Sequence, residues 1–192
     1  MKKISMQLKN QKNVLIFLAI ILLFGIILGI YFGFNAKELM ENTISNYVLK
    51  IEEQGYHFAI SHFTILSLLF VLSFIGLSVP AAIAYLFFEG LTIGFCGSIF
   101  TLIIGVKGLI YILIFFLLTK IPFLFIYNFF FNKILLITKS LISWIIYKQS
   151  KKDYIINLAL GCLILIVILL CYDLIFDFLG INIIKIFQFL LN

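Results

Sequence analysis

Phe87-Phe88-Glu89-Gly90-Leu91-Thr92-Ile93-Gly94-Phe95-Cys96-Gly97 sets one carboxylate among glycines, and Glu89 is the only formal charge between Glu53 and Lys107. An ionised carboxylate at the bilayer centre costs at least roughly 2.5 to 3.5 kcal/mol, so Glu89 belongs at an interface, against protein, or in a wet cavity. The string is either a helix junction or a polar site, and the two readings divide the surrounding apolar sequence differently.

That surrounding sequence is membrane-grade throughout. The chain has 192 residues, 64% hydrophobic and 11% charged, with a mean hydropathy of +1.23, too little polar surface to clothe a soluble domain. The run Val14 to Phe34 carries no charge. At about 20 residues it is long enough for a helix to cross the hydrocarbon. A cleaved signal peptide fits less well, because the run exceeds the usual core of roughly 7 to 15 residues and no small-x-small cleavage site precedes Asn35.

Outward from there, an all-α, multi-pass transmembrane bundle of about five spanning helices is expected, forming a single integral membrane domain over 1–192. Residues 35–57 form the one extended polar segment, net acidic through Glu38, Glu41, Glu52 and Glu53 against Lys37 and Lys50. Lys2, Lys3, Lys9 and Lys12 crowd the amino terminus and hold it in the cytoplasm, which sends 35–57 outside. Expected spans follow at 64–88, with a kink at Pro80, and at 91–106, a short segment that crosses a thin region or is partly re-entrant. The next is 108–147, broken near 120 at Lys120 and Pro122, so that short or broken helices occupy Glu89 to Pro122. Lys148, Lys151 and Lys152 place the following loop in the cytoplasm. A last span, 154–172, then leaves Asp173, Asp177 and the carboxyl terminus outside, with a tail that lies along the interface or makes a sixth crossing.

Gly25, Gly29 and Gly33 recur every fourth residue and stack on one helix face, a packing seam for another backbone. Ordinary packing within the bundle is the preferred reading, with subunit assembly as the alternative. Gly90, Gly94 and Gly97 offer a second face, and Gly105 and Gly108 complete a glycine-dense stretch that points to tight packing or broken helices. Glu89, just before Gly90, is read as a helix-end residue complementing the positive end of the next helix, in preference to a coupling acid. Lys107 and Lys120 are read as lysines that snorkel near segment ends, with lipid or substrate contact as the alternative.

Catalysis finds little support. Glu52, Glu53, His57 and His62 use residue types common at metal sites, but the histidines are five apart with no glutamate between them. They are read as solvated entry to the second span. Cys96, Cys162 and Cys171 show no ligand spacing and read as small buried hydrophobes. No nucleotide fold or phosphate loop is present, so no cofactor, metal or nucleic acid is expected, and membrane lipids are the first partners.

The order of features resembles the stage II sporulation protein M family. The pieces are a lysine-rich start, Phe24-Gly25-Ile26-Ile27-Leu28-Gly29, the polar segment, Phe88-Glu89-Gly90-Leu91-Thr92-Ile93-Gly94-Phe95, then Gly105-Val106-Lys107-Gly108 and a basic loop before the last span. Relatives often carry a basic or polar residue at the position of Glu89. The resemblance implies a bacterial cell-membrane protein of endospore engulfment, a non-catalytic scaffold that anchors peptidoglycan-degrading partners resembling sporulation proteins D and P. A transporter or permease subunit is the alternative, motivated by the glycine-rich segments around Glu89 and Lys107.

Overall fold

In a bilayer the backbone must satisfy its own hydrogen bonds, and a chain apolar on all sides does so as helices. The computed structural model describes residues 13–36, 58–147 and 152–191. They form α1 (Asn13–Ala36), α2 (Phe58–Ser73), α3 (Ser78–Ile104), α4 (Val106–Tyr147) and α5 (Lys152–Leu191). Helices α1, α3, α4 and α5 are long and apolar enough to cross a membrane. The 16 residues of α2 reach about 24 Å at 1.5 Å each, short of a typical hydrocarbon core. The all-α, multi-pass membrane bundle expected from sequence is the fold found.

The helix ends fall elsewhere than expected. Spans 64–88 and 91–106 are replaced by α2 and α3, because the chain turns at Phe74–Leu77 and not at Glu89-Gly90. Gly76 supplies the turn with a φ of 84°, a left-handed conformation that side chains disfavour. Pro80 follows in the first turn of α3, where a missing N–H costs nothing, so it starts a helix instead of kinking one. The string around Glu89 is continuous helix. Gly105, at φ 71°, closes α3 by donating its N–H to the Thr101 carbonyl at 3.0 Å, and α4 begins at the next residue.

The interruption expected between Glu89 and Pro122 is present at Gly105, and not near residue 120. Pro122 lies inside the 42-residue α4, where it leaves the Leu118 carbonyl without its helical donor. The Tyr172 hydroxyl of α5 donates to that carbonyl and replaces the missing bond. The last span likewise does not stop at 172, since α5 continues through Asp173 and Asp177 to Leu191.

Helix α4 is the central element. Phe123, Tyr127, Phe130, Phe131, Ile134 and Ile137 recur at helical spacing and are almost fully buried. Against them pack Leu18 of α1, Leu66 and Leu69 of α2, Ala82 and Leu86 of α3, and Cys162, Ile166 and Leu169 of α5. The opposite faces expose Leu117, Phe125, Ile164 and many other large apolar side chains, as a lipid-facing surface requires. At their turn with α4, Ser78 and Thr138 share a hydrogen bond of 3.2 Å, and the Thr138 hydroxyl reaches the Ser73 carbonyl.

Removing the Tyr172 hydroxyl orphans the Leu118 carbonyl, so Tyr172→Phe lowers unfolding stability in mixed micelles by about 1 to 2 kcal/mol. Pro122→Ala restores the backbone donor, and the double variant recovers most of that loss.

Candidate functional site: a buried polar network

Glu89 sits in the middle of α3, on the face toward α4, and its two oxygens are both engaged. Lys120 Nζ lies 2.8 Å from Oε2, and the Tyr85 hydroxyl, one turn earlier on α3, donates to Oε1 at 2.7 Å. Both ionic side chains are 13% exposed. The turn at Gly105 sets this pairing, since it lies roughly midway in sequence between Glu89 and Lys120 and folds α3 back along α4.

One turn along α4, Phe123 joins the ion pair to a second polar pair. Lys120 Nζ is 5.9 Å from the Phe123 ring centroid, and the His62 ring stacks on Phe123 at 4.3 Å. His62 Nδ1 lies 2.9 Å from Asp173 Oδ2, both side chains being at most 5% exposed. A carboxylate partner makes Nδ1 the protonated nitrogen. Asp177, one turn further on α5, accepts the Ala59 N–H at 3.1 Å and so satisfies a free donor in the first turn of α2. These contacts run α2 antiparallel to α5. Tyr127 packs on Tyr85 and Phe123 and donates to the Ala82 carbonyl at 2.6 Å.

Placing such groups within the membrane is tolerable because they meet one another. The desolvation of each charge is several kcal/mol, and it is offset only when the partner and the remaining hydrogen bonds are in place. Glu89 meets that condition with a cation and a hydroxyl.

The glycine seam lies on the neighbouring face of the same helix. A Cβ on Gly25 would strike the Phe87 carbonyl oxygen, one on Gly29 the Leu91 oxygen, and one on Gly33 the Ser98 hydroxyl. Reciprocally, Gly90 and Gly94 face the carbonyls of Leu22 and Ile26. The contacts advance together along both chains, so α1 and α3 run parallel with their backbones touching. Gly97 is not part of this seam, since its nearest neighbour is an Ile112 methyl at 3.6 Å. Gly105 makes the α3–α4 turn, and Gly108 is buried in the first turn of α4.

Several expected roles change. Glu89 is an interior residue of α3 and does not cap a helix. Lys120 is held inside the bundle and does not snorkel. Lys107 is exposed in the first turn of α4, beside the Gly105 junction and about 20 Å along the helix from Lys120. His62 and Asp173, read as solvated and external, are buried together. Their separation of 111 residues leaves no local signal, whereas matched spacing from Gly105 was available for Glu89 and Lys120. Glu52, Glu53 and His57 lie outside the described residues. Among the described residues no three His, Cys, Asp or Glu side chains converge as a metal site.

Lys120→Met leaves Glu89 buried without its cation and lowers stability by about 3 kcal/mol, while Glu89→Gln with Lys120→Met costs less than the two singles combined. Chemical unfolding in mixed micelles reads both. Gly29→Leu forces α1 away from α3 and costs about 1 to 3 kcal/mol in the same assay.

The geometry therefore stands on its own residues: no family model, curated protein or solved structure matches the chain, and what the fold shows is a multi-pass membrane bundle with a polar network inside it.

Proposed function

We propose that this protein is a non-catalytic scaffold of the bacterial cell membrane that anchors a peptidoglycan-remodelling complex during endospore engulfment. The amino terminus faces the cytoplasm, and the polar segment 35–57 meets partners resembling sporulation proteins D and P outside. Asp173 plays no part in that outer surface, because it is buried against His62. The observation that carries the reading is that Glu89, Asp173 and Asp177 are each held by a group from another helix. Groups engaged in this way act as interhelical ties, which is what an anchor under load from external partners needs. The order of motifs supplies the specific role.

Transport is the second reading, favoured by one feature: His62–Asp173 and Glu89–Lys120 are titratable pairs that both reach Phe123 and together span four helices. Relays of this kind occur in proton-coupled carriers.

Mild-detergent purification from spore-forming cells entering engulfment separates the two. A scaffold brings down wall hydrolases, and a folded Glu89→Gln protein does so equally well. A carrier instead moves protons or solute in liposomes, and Glu89→Gln abolishes that flux. A preparation lacking wall hydrolases together with Glu89-dependent flux reverses the ranking.

A further inference from the structure

Lys133 differs from the other lysine in the bundle interior. Half-buried on α4, it lays its ammonium and last two methylenes against the backbone of Gly161 on α5, in space that any side chain at 161 would fill. Among the described residues it makes no hydrogen bond or ion pair. Lys120, by contrast, has Glu89.

Its height in the membrane follows from α1. The uncharged run of α1 begins at Val14, which puts the inner edge of the hydrocarbon near that residue. Leu15 and Leu18 share a cavity of about 260 Å³ with Tyr127 and Asn128. Lys133 lies beyond Asn128 by about a turn and a half, roughly 7 Å toward the end of α4 that leads to Lys139, Lys148, Lys151 and Lys152. That is headgroup level, on the side the lysines assign to the cytoplasm, whose leaflet carries anionic lipid.

We infer that the notch formed by Lys133 and Gly161 binds the phosphate of an anionic phospholipid from the cytoplasmic leaflet. The ammonium supplies charge to the phosphodiester, and Gly161 keeps the space in which the lysine lies. The apolar flanks of α4 and α5, with Leu160 and Ile164 exposed, take the acyl chains. Basic sites between helices on this face suit anionic headgroups, and Lys139, exposed further along α4, adds to the field. The lipid site rests on the membrane orientation and is independent of the wall-anchoring role, so the two fail separately.

Native mass spectrometry of the detergent-purified protein titrated with phosphatidylglycerol, phosphatidylcholine or inorganic phosphate tests the site. Wild-type protein retains phosphatidylglycerol in preference to phosphatidylcholine. Lys133→Gln weakens that retention about fivefold, and Lys133→Arg preserves it. Gly161→Val weakens it as well. Three results overturn the inference: no headgroup preference in the wild type, unchanged phosphatidylglycerol retention in Lys133→Gln, or displacement of the lipid by inorganic phosphate. A co-purifying membrane protein retained through Lys133 without added lipid also overturns it.

Discussion

A bilayer offers no hydrogen bonds, so a polar group carried into it is costly without a partner in the protein, and the helix positions of this chain follow from that cost. Among the described buried side chains Asn128 Oδ1 is the exception. Glu89 needs a cation, which holds α3 and α4 in register about the Gly105 turn. Asp173 and Asp177 need donors, which fixes α2 against α5. The Leu118 carbonyl, bereft of a donor by Pro122, takes the Tyr172 hydroxyl and ties α4 to α5. Each contact that relieves a polar group also sets the position of a helix. Phe123 sits where these ties meet, stacked on His62 and close to Lys120.

Apolar packing completes what the polar ties begin. In lipid there is little hydrophobic gain from bringing helices together, and close backbone approach supplies dispersion contact instead. Glycines on both partners make that approach possible along α1 and α3, where the carbonyls of one helix occupy the volume that a side chain on the other would need. Adjacent residues of α3 thus serve different neighbours: Glu89 engages Lys120 of α4, while Gly90 admits α1. A single substitution in this short string disturbs two interfaces.

Such a bundle suits a protein whose work is to hold others in place. Glu89 with Lys120, and His62 with Asp173, are committed to each other, and the bundle's outer faces are apolar on the helices that cross the membrane. The same network is nonetheless made of groups that exchange protons, so its chemistry permits a carrier as well as an anchor. The distinction lies in whether Glu89 must titrate or merely be present.

The apolar runs and their lengths determined, from sequence alone, that the chain is a membrane-spanning helical bundle, because no soluble fold can bury so much hydrocarbon and too few polar residues remain to cover one. The fourfold spacing of Gly25, Gly29 and Gly33 marked a packing face for a similarly local reason. Helix continuity was not legible. Glu89-Gly90 and Lys120-Ile121-Pro122 look like breaks when read along the chain, yet both lie within helices because Lys120, Tyr85 and Tyr172 supply what the local sequence lacks. The true turn, Phe74–Leu77, hides in apolar sequence, where only Gly76 betrays it. The pairing of His62 with Asp173 was wholly a matter of tertiary structure, since a contact across 111 residues leaves no periodicity and depends on how the two intervening helices, α3 and α4, pack.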